Sequence, residues 1–413
     1  MGAVFTHAFA PTPSRTPSRS SLLSGQPAHA LGAAASLYGP LSTQVPIYTE
    51  LLDDAGYSVG FSGKGWGPGN PKEAGRTRNP AGAAYDSFAA FLAQHDAARP
   101  FCFWFGSHDP HVPWNRNQKR KATMDARQVT PPPHVPDHPA VRDDILNYYC
   151  EVEAFDTECG QMLGRLGERG MLDHTLVVMT SDNGWQIPRG LGNCYDLGVR
   201  VPLAVRWPER VKRGVTSDVF VKLDDLCPTF LEAAGVAAPR VPALSLWPLL
   251  EGGPQAGREH VFVERERHAN VRRGNLSYPV RGIRTHEFLY LRNLAPDRHP
   301  AGGPELYWAV GPYGDVDDSQ TKRLLLDPAN RETFRRYFDL CFGPRPAEEL
   351  YEARRDPGQV NNLAARPQYA ETKAGLARKL DEWMRTTGDP RAGGWTDFFD
   401  QAPYSGAKAK AAR

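Results

Sequence analysis

Four short segments of this chain gather side chains suited to an anion, a proton or a hard cation. Residues 12–25 read TPSRTPSRSSLLSG and carry Arg15 and Arg19. A guanidinium presents a planar fork of N–H donors that suits oxyanions. Lys64 lies in the glycine-rich GKGWG at 63–67. His108 and His111 lie in GSHDPHVPW at 106–114, and an imidazole can give or take a proton near neutral pH. Asp182 and Asn183 lie in TSDNG at 180–184. They offer hard oxygen donors of the kind that bind Ca²⁺ or Mg²⁺, or they form an ordinary Asx turn. Taken singly, each segment also has a plain reading: a helix-start arginine, a solvated loop lysine, strand-end histidines.

The elements around these segments explain how they could meet. Ile47, Tyr48, Leu51, Leu52 and Ala55 recur at helical spacing, with Gly56 placed to cap the helix and a strand over 57–61. FCFWF at 101–105 is a short apolar run that suits a fully buried strand. The proline-rich 130–139 reads as a loop. Beyond it Ile145, Tyr148, Val152, Phe155, Cys159, Met162 and Leu166 mark one face of a long helix. Further strands are predicted over 175–179, 201–205 and 260–263, and a helix over 222–235 that Pro228 kinks or restarts. Strand alternating with helix predicts an α/β fold, doubly wound around a mostly parallel sheet with helices on both faces. Such sheets hold their sites at the C-terminal strand ends, where Lys64, the two histidines and Asp182 fall.

Beyond residue 275 the texture changes. RGIRTHEFLYLRN alternates like a hairpin, and 367–386 reads as an amphipathic helix. The predicted organisation is an α/β domain over 1–274, a smaller C-terminal α+β subdomain with an antiparallel sheet over 275–400, and a disordered tail over 401–413.

The 413 residues carry a formal charge of +2, so no general electrostatic reason favours a nucleic-acid partner. No apolar run approaches a membrane span, and the chain as it stands shows no signal peptide. Six scattered cysteines suit buried thiols better than a disulfide framework or a zinc site.

The segment FTHAFAPTPSRTPSRSSLLSG resembles the sulfatase signature of the alkaline-phosphatase superfamily, Cys/Ser-x-Pro-Ser-Arg followed by a short helix and Ser/Thr-Gly. Pro17, Ser18, Arg19, Leu22, Leu23, Ser24 and Gly25 match it. GKGWG, GSHDPHVPW, TSDNG, YDLGVRVPLAVRWPERVKRGVTSD, DLCPT and ELYEARRDPGQVNNLA follow in the family's order, so the resemblance runs from residue 5 to about 390. The wording SDNGWQIPRG is similar to the sulfamidase-like bacterial sulfatases.

The resemblance implies hydrolysis of sulfate esters or sulfamates. In the family a Cys or Ser becomes formylglycine, whose hydrate attacks sulfur beside a divalent cation, usually Ca²⁺. Asp182 and Asn183 match two of the four metal ligands. Arg19 would balance charge around the nucleophile and metal, and Lys64 would contact the sulfate. The family histidine would protonate the leaving group. His111 is favoured because an apolar ring follows its proline, with His108 as second candidate. The implied partner is a sulfated small molecule or glycan, with no nucleic acid and no membrane span. Oligomeric state stays open. Family members are often exported or periplasmic.

Four departures weaken the expected activity. The nucleophile position is Arg15, which cannot become formylglycine; Ser14 is one residue off, and Ser18 is the motif serine. The chain begins just upstream of FTHAF, so the family's first strand, with two Asp ligands, is expected to be missing from the 1–274 domain. Leu191 stands where a second sulfate-binding lysine belongs, and Trp66 where a histidine often does. Losing a nucleophile alone can cost about 10⁶ in rate. The expectation is therefore an impaired sulfatase with weak or absent Ca²⁺ (or Mg²⁺) binding. The alternative is an inactive sulfatase-fold protein that at most binds sulfated ligands. A two-zinc phosphoester hydrolase is the least favoured reading, because no Asp/His cluster of suitable spacing is visible.

Overall fold

Twelve strands and ten α-helices appear in the computed structural model, which describes residues 2–252, 258–305, 311–402, 404 and 406. The strands are β1 (Ala3–Phe9), β2 (Ser58–Gly63), β3 (Ala83–Ala84), β4 (Phe101–Gly106), β5 (Val177–Thr180), β6 (Arg200–Arg206), β7 (Val215–Ser217), β8 (Val221–Lys222), β9 (His260–Arg265), β10 (Val280–Thr285), β11 (Phe288–Asn293) and β12 (Glu348–Glu352). The helices are α1 (Arg15–Ser24), α2 (Tyr48–Asp54), α3 (Phe88–Gln94), α4 (Pro139–Glu168), α5 (Asp196–Val199), α6 (Leu226–Ala233), α7 (Trp247–Leu250), α8 (Gln320–Leu326), α9 (Arg335–Phe342) and α10 (Ala370–Thr386).

Three sheets result. One runs β5-β6-β1-β7, with β8 also on β1; a second runs β3-β2-β4; a third runs β12-β11-β10-β9. In the first two sheets β7 and β8 lie parallel to β1, and β3 and β4 parallel to β2, while β6 is antiparallel to both β1 and β5. The mostly parallel architecture expected from the sequence is thus present, split into two pieces. The third sheet is antiparallel throughout. Its β10–β11 hairpin, pairing Arg281 with Arg292, is the one read from RGIRTHEFLYLRN. The strand at His260–Arg265 pairs with β10, so it belongs to this sheet and not to the parallel one. Its apolar residues Val261 and Val263 suit either sheet, and only its partner decides.

The FCFWF run owes its unbroken apolarity to having two covered faces. Cys102 and Trp104 pack with α1, α2 and α6, whereas Phe101 and Phe103 pack with α3 and the C-terminal end of α4. Yet β4 and β5 are half-buried along their length. Among the described residues β4 pairs only with β2 and β5 only with β6. The two strands wall a cavity of about 1550 Å³, which accounts for the incomplete burial of β4.

Boundaries shift modestly elsewhere. The first helix starts at Arg15 and α4 already at Pro139, where a fixed φ suits the first turn. Pro228 sits in the first turn of α6, after a 3₁₀ turn at Leu223–Asp225, and so marks a restart. All six cysteines are free thiols. No helix among the described residues is long and apolar enough to cross a membrane. Part of the predicted tail, residues 403, 405 and 407–413, lies outside the described residues.

Two glycines make a matched test of packing. The amide of Lys64 donates to the Gly106 carbonyl at 2.6 Å, and a Cβ at Gly106 would fall on the Lys64 carbonyl oxygen. Gly160, inside α4, has open space around its Cα. Gly106→Ala should therefore destabilise by about 1–3 kcal/mol, while Gly160→Ala should be neutral or stabilise by up to ~1 kcal/mol. Denaturant unfolding of the two variants checks this, and equal effects would contradict the close approach of β2 and β4.

Candidate active site

Helix α1 sets the site because it begins at Arg15 and carries Arg19 one turn later. The extended residue before it, Ser14, makes no side-chain cap; its Oγ lies 2.8 Å from Nδ1 of buried His268. The helix ends at Gly25, whose φ of 71° is the left-handed conformation that glycine adopts without strain. The backbone before α1 is pinned on both sides, Glu264 N donating to Pro11 O and Gly192 N to Pro13 O.

Arg19 joins three segments. Its Nη1 donates to the carbonyls of Gly65 and Gly67, each at 2.9 Å, and its Nη2 lies 2.8 Å from Asp182 Oδ2. The GKGWG loop is further tied to α1 by Trp66 Nε1 donating to Ser20 Oγ and by Thr16 Oγ1 donating to the Pro68 carbonyl. Lys64 is thereby held over the cavity, its Nζ donating to the His108 carbonyl at 3.2 Å. Burial pulls the Lys64 ammonium down to about 8, and Arg19, Arg15 and Arg116 add to the effect while Asp182 opposes it.

Arg15 meets His111. Arg15 Nη1 lies 2.9 Å from His111 Nε2, and a guanidinium can only donate. Nε2 is therefore the acceptor, and the imidazole proton sits on Nδ1, which donates to the Val112 carbonyl at 2.6 Å. Burial, then Arg15, hold the His111 pKa below its ordinary value. His111 is neutral, with the nitrogen that faces Arg15 already engaged.

Arg15, Arg19, Lys64, His111, Asp182 and Asn183 all line the one cavity, as does Ser18. The His108 side chain is exposed and not among the cavity-lining residues; its carbonyl serves instead as acceptor for Lys64 and Arg116. Ser14 and Leu191 are buried and also absent from that lining. Three side chains that carry no motif signal complete the frame. Arg116 Nη2 grips the Asp109 carboxylate and the carbonyls of His108 and His111. Gln186 accepts from Val112 N and donates to Asp317. Gln186 lies four residues past Asp182, a position the sequence could have flagged; Asp317 had no such cue.

Comparison with known proteins fits this arrangement. The model of the Sulfatase family matches residues 1–236, and that of the N-sulphoglucosamine sulphohydrolase C-terminal region matches residues 192–295. Human N-sulphoglucosamine sulphohydrolase is 29% identical, over 94% of this chain and 84% of its own. An ulvan-active sulfatase of Formosa agariphila is 26% identical, over 94% and 74%. A solved structure in complex with its substrate D-glucosamine-2-N,6-O-disulfate shares the fold, with a TM-score of 0.65 and 18% identity over 95% of this chain and 92% of that one.

Sulfatase relatives imply a divalent metal cofactor, so the oxygen donors here can be tested for one. Asp182 Oδ2 and Asn183 Oδ1 are buried and accept no hydrogen bond, which suits a cation. However, the Arg19 guanidinium already faces Asp182 Oδ2. Among the described residues no group of three or more His, Cys, Asp or Glu side chains is placed to hold a metal. Ca²⁺ takes about six to eight oxygens. The residues present do not complete a divalent-cation site.

Two measurements follow from this charge balance. Calorimetric titration with Ca²⁺ should give an affinity weaker than micromolar; a tighter value would mean that further carboxylates complete the shell. Lys64 is cationic below about 8 and neutral above, so an anion in the cleft loses one attractive charge as the pH rises through that value. Inorganic sulfate should bind progressively more weakly above about pH 8, and Lys64→Met should flatten that limb. An unchanged limb in the variant would remove Lys64 from the anion site.

Proposed function

The chain belongs to the sulfatase family, and from that premise we propose that its cleft recognises the sulfate ester or sulfamate group of a sulfated sugar while hydrolysis of that group is impaired. Hydrolysis of sulfate esters and sulfamates is the family's chemistry. The observation that carries the proposal is the hydrogen bond from Arg15 to His111. The formylglycine route oxidises a Cβ that carries sulfur or oxygen, and the Arg15 Cβ carries carbon. The same guanidinium engages the His111 nitrogen that would otherwise face the leaving group.

What the protein's own residues can do is bind. Arg15 and Lys64 bring positive charge to the cavity, and Asp182 already has Arg19. Guanidinium and ammonium donors form charge-assisted hydrogen bonds to sulfate oxygens. Burial strengthens these bonds because the local dielectric is low. The ligand class comes from the relatives: one acts on N-sulphoglucosamine by name, and a structural neighbour holds a glucosamine disulfate.

The decisive assay combines binding and turnover. D-glucosamine-2-N,6-O-disulfate should bind the unaltered chain, and Arg15→Ala should weaken it by about tenfold or more, as expected for a lost charge-assisted bond. A chromogenic aryl sulfate should be turned over roughly 10⁶-fold more slowly than by a formylglycine enzyme. Arg15→Cys alone, made in a host with the formylglycine-generating enzyme, should restore little, because the cation shell stays incomplete. If the unaltered chain turns over aryl sulfate well and Arg15→Ala keeps that rate, the nucleophile lies elsewhere and the proposal fails.

A further inference from the structure

A second concentration of positive charge lies away from the main cleft, where α5, α9 and β12 meet. Arg189 and Arg345 both lie over the ring of Tyr195, with guanidinium carbons 3.8 Å and 4.7 Å from its centroid. The two arginines are only 4% and 8% exposed. They line a cleft of about 530 Å³ together with Arg335, Arg336, Asp339 and Glu349. That lining holds four cations against two carboxylates.

Neither buried arginine has a direct ionic partner, although the Glu349 charge acts on Arg345 through space and opposes the lowering of its pKa. Among the described residues no carboxylate forms a salt bridge with Arg189 or Arg345. Glu349 is the nearest buried acid in the lining, but its oxygens are occupied by neutral donors: Tyr195 Oη at 2.7 Å, Tyr351 Oη at 2.5 Å and Asn293 Nδ2 at 2.7 Å. Arg189 spends its Nη groups on the carbonyls of Leu340 and Gln359, and its buried Nε has no acceptor. Among the described residues Arg345 makes one hydrogen bond, from Nη2 to Asn193 Oδ1 at 3.2 Å. Burial, followed by the repulsion of Arg189, draws the Arg345 guanidinium down to about 10, a large shift for a group that normally never loses its proton. Isolated buried charges are costly without a partner.

We propose that this cleft is a second oxyanion-binding site, distinct from the cavity that holds Arg15 and Lys64, and that it takes a sulfate or phosphate group. The N–H groups of Arg345 that have no partner among the described residues and the exposed Arg336 on the rim supply charged donors for a tetrahedral anion. The anion supplies the missing negative charge beside Tyr195. A wall one or two residues thick separates the two sites: Arg189 Nη2 donates to the Gln359 carbonyl, and the Gln359 side chain accepts from the amide of Asp196, which lines the main cavity. The inference needs no hydrolysis and does not depend on what the main cleft binds.

The test titrates the full chain with inorganic sulfate, with inorganic phosphate and with a sulfated disaccharide, by calorimetry. Two sulfate sites are expected. Arg345→Met should weaken one by about tenfold or more and leave the other. Lys64→Met should do the reverse. Arg336→Glu, a rim substitution that leaves the core untouched, should weaken the same site as Arg345→Met and so serves if that variant does not fold. Selenate soaked into crystals should give an anomalous peak between Arg189 and Arg345. Tighter binding of the disaccharide than of free sulfate, lost with Arg345→Met, would assign the site to a sulfated sugar; equal binding would assign it to the free anion. A single site that is abolished by Lys64→Met and untouched by both arginine changes would overturn the proposal. Loss of only the Lys64-dependent site would instead count against the main-cleft reading and leave this one standing.

Discussion

Arg19 ties together three of the segments that line the main cleft. Its side chain is about one-tenth exposed and touches three segments far apart in sequence: the loop after β2 through two carbonyls, the end of β5 through Asp182, and α1 through its own backbone. A buried ion pair gives little net stability in itself, yet breaking one by removing a partner typically costs about 3–5 kcal/mol, because the remaining charge is stranded. Arg19 therefore acts as a geometric constraint. It holds the loop that carries Lys64, the end of β5 at Asp182 and the start of α1 together.

The same helix places Arg15 one turn earlier, facing His111. Two arginines and a lysine around one carboxylate make a strongly cationic pocket. Burial first, and the neighbouring cations second, hold the Lys64 and His111 pKa values below their ordinary range. The family uses comparable positive charge to hold a sulfate beside a nucleophile. Here the Arg15 guanidinium faces His111; under the proposed function it stands in the nucleophile's place and keeps attraction for an anion without supplying the attacking group.

The antiparallel sheet braces this arrangement from behind. Glu264 of β9 accepts from His29 Nδ1 at 2.9 Å, in the 3₁₀ turn that follows α1. Beside it Arg281 pairs with Asp389 and Glu266, and Arg391 pairs with Glu266. These groups are almost wholly buried and their carboxylates and guanidiniums are paired with one another, which favours one packing. The contrast with Arg189 and Arg345 is instructive. Arg281 and Arg391 have carboxylate partners, whereas among the described residues Arg189 and Arg345 form no ion pair, and this difference is what the proposed second anion site rests on.

Much of this was legible in the chain itself. Apolar periodicity located β2, β4, α4 and the β10–β11 hairpin, because those patterns report local geometry and burial. The order of motifs indicated the family, which the family model over residues 1–236 bears out; the count back from Pro17 gave the expectation that Arg15 stands at the nucleophile position. Both histidines fit His-x-Pro, and the sequence favoured His111 over His108 on the apolar ring that follows its proline; the fold turns His111 to Arg15 and leaves His108 exposed. Nor could the chain tell that His260–Arg265 joins the antiparallel sheet, that β4 and β5 leave an edge on the cavity, or that Arg189 and Arg345 share a ring. Those facts concern partners outside any local window, from Arg265 with Val280 to Gln186 with Asp317. Local sequence sets which elements form and which face is apolar; which charges end up facing each other is set only when the layers pack.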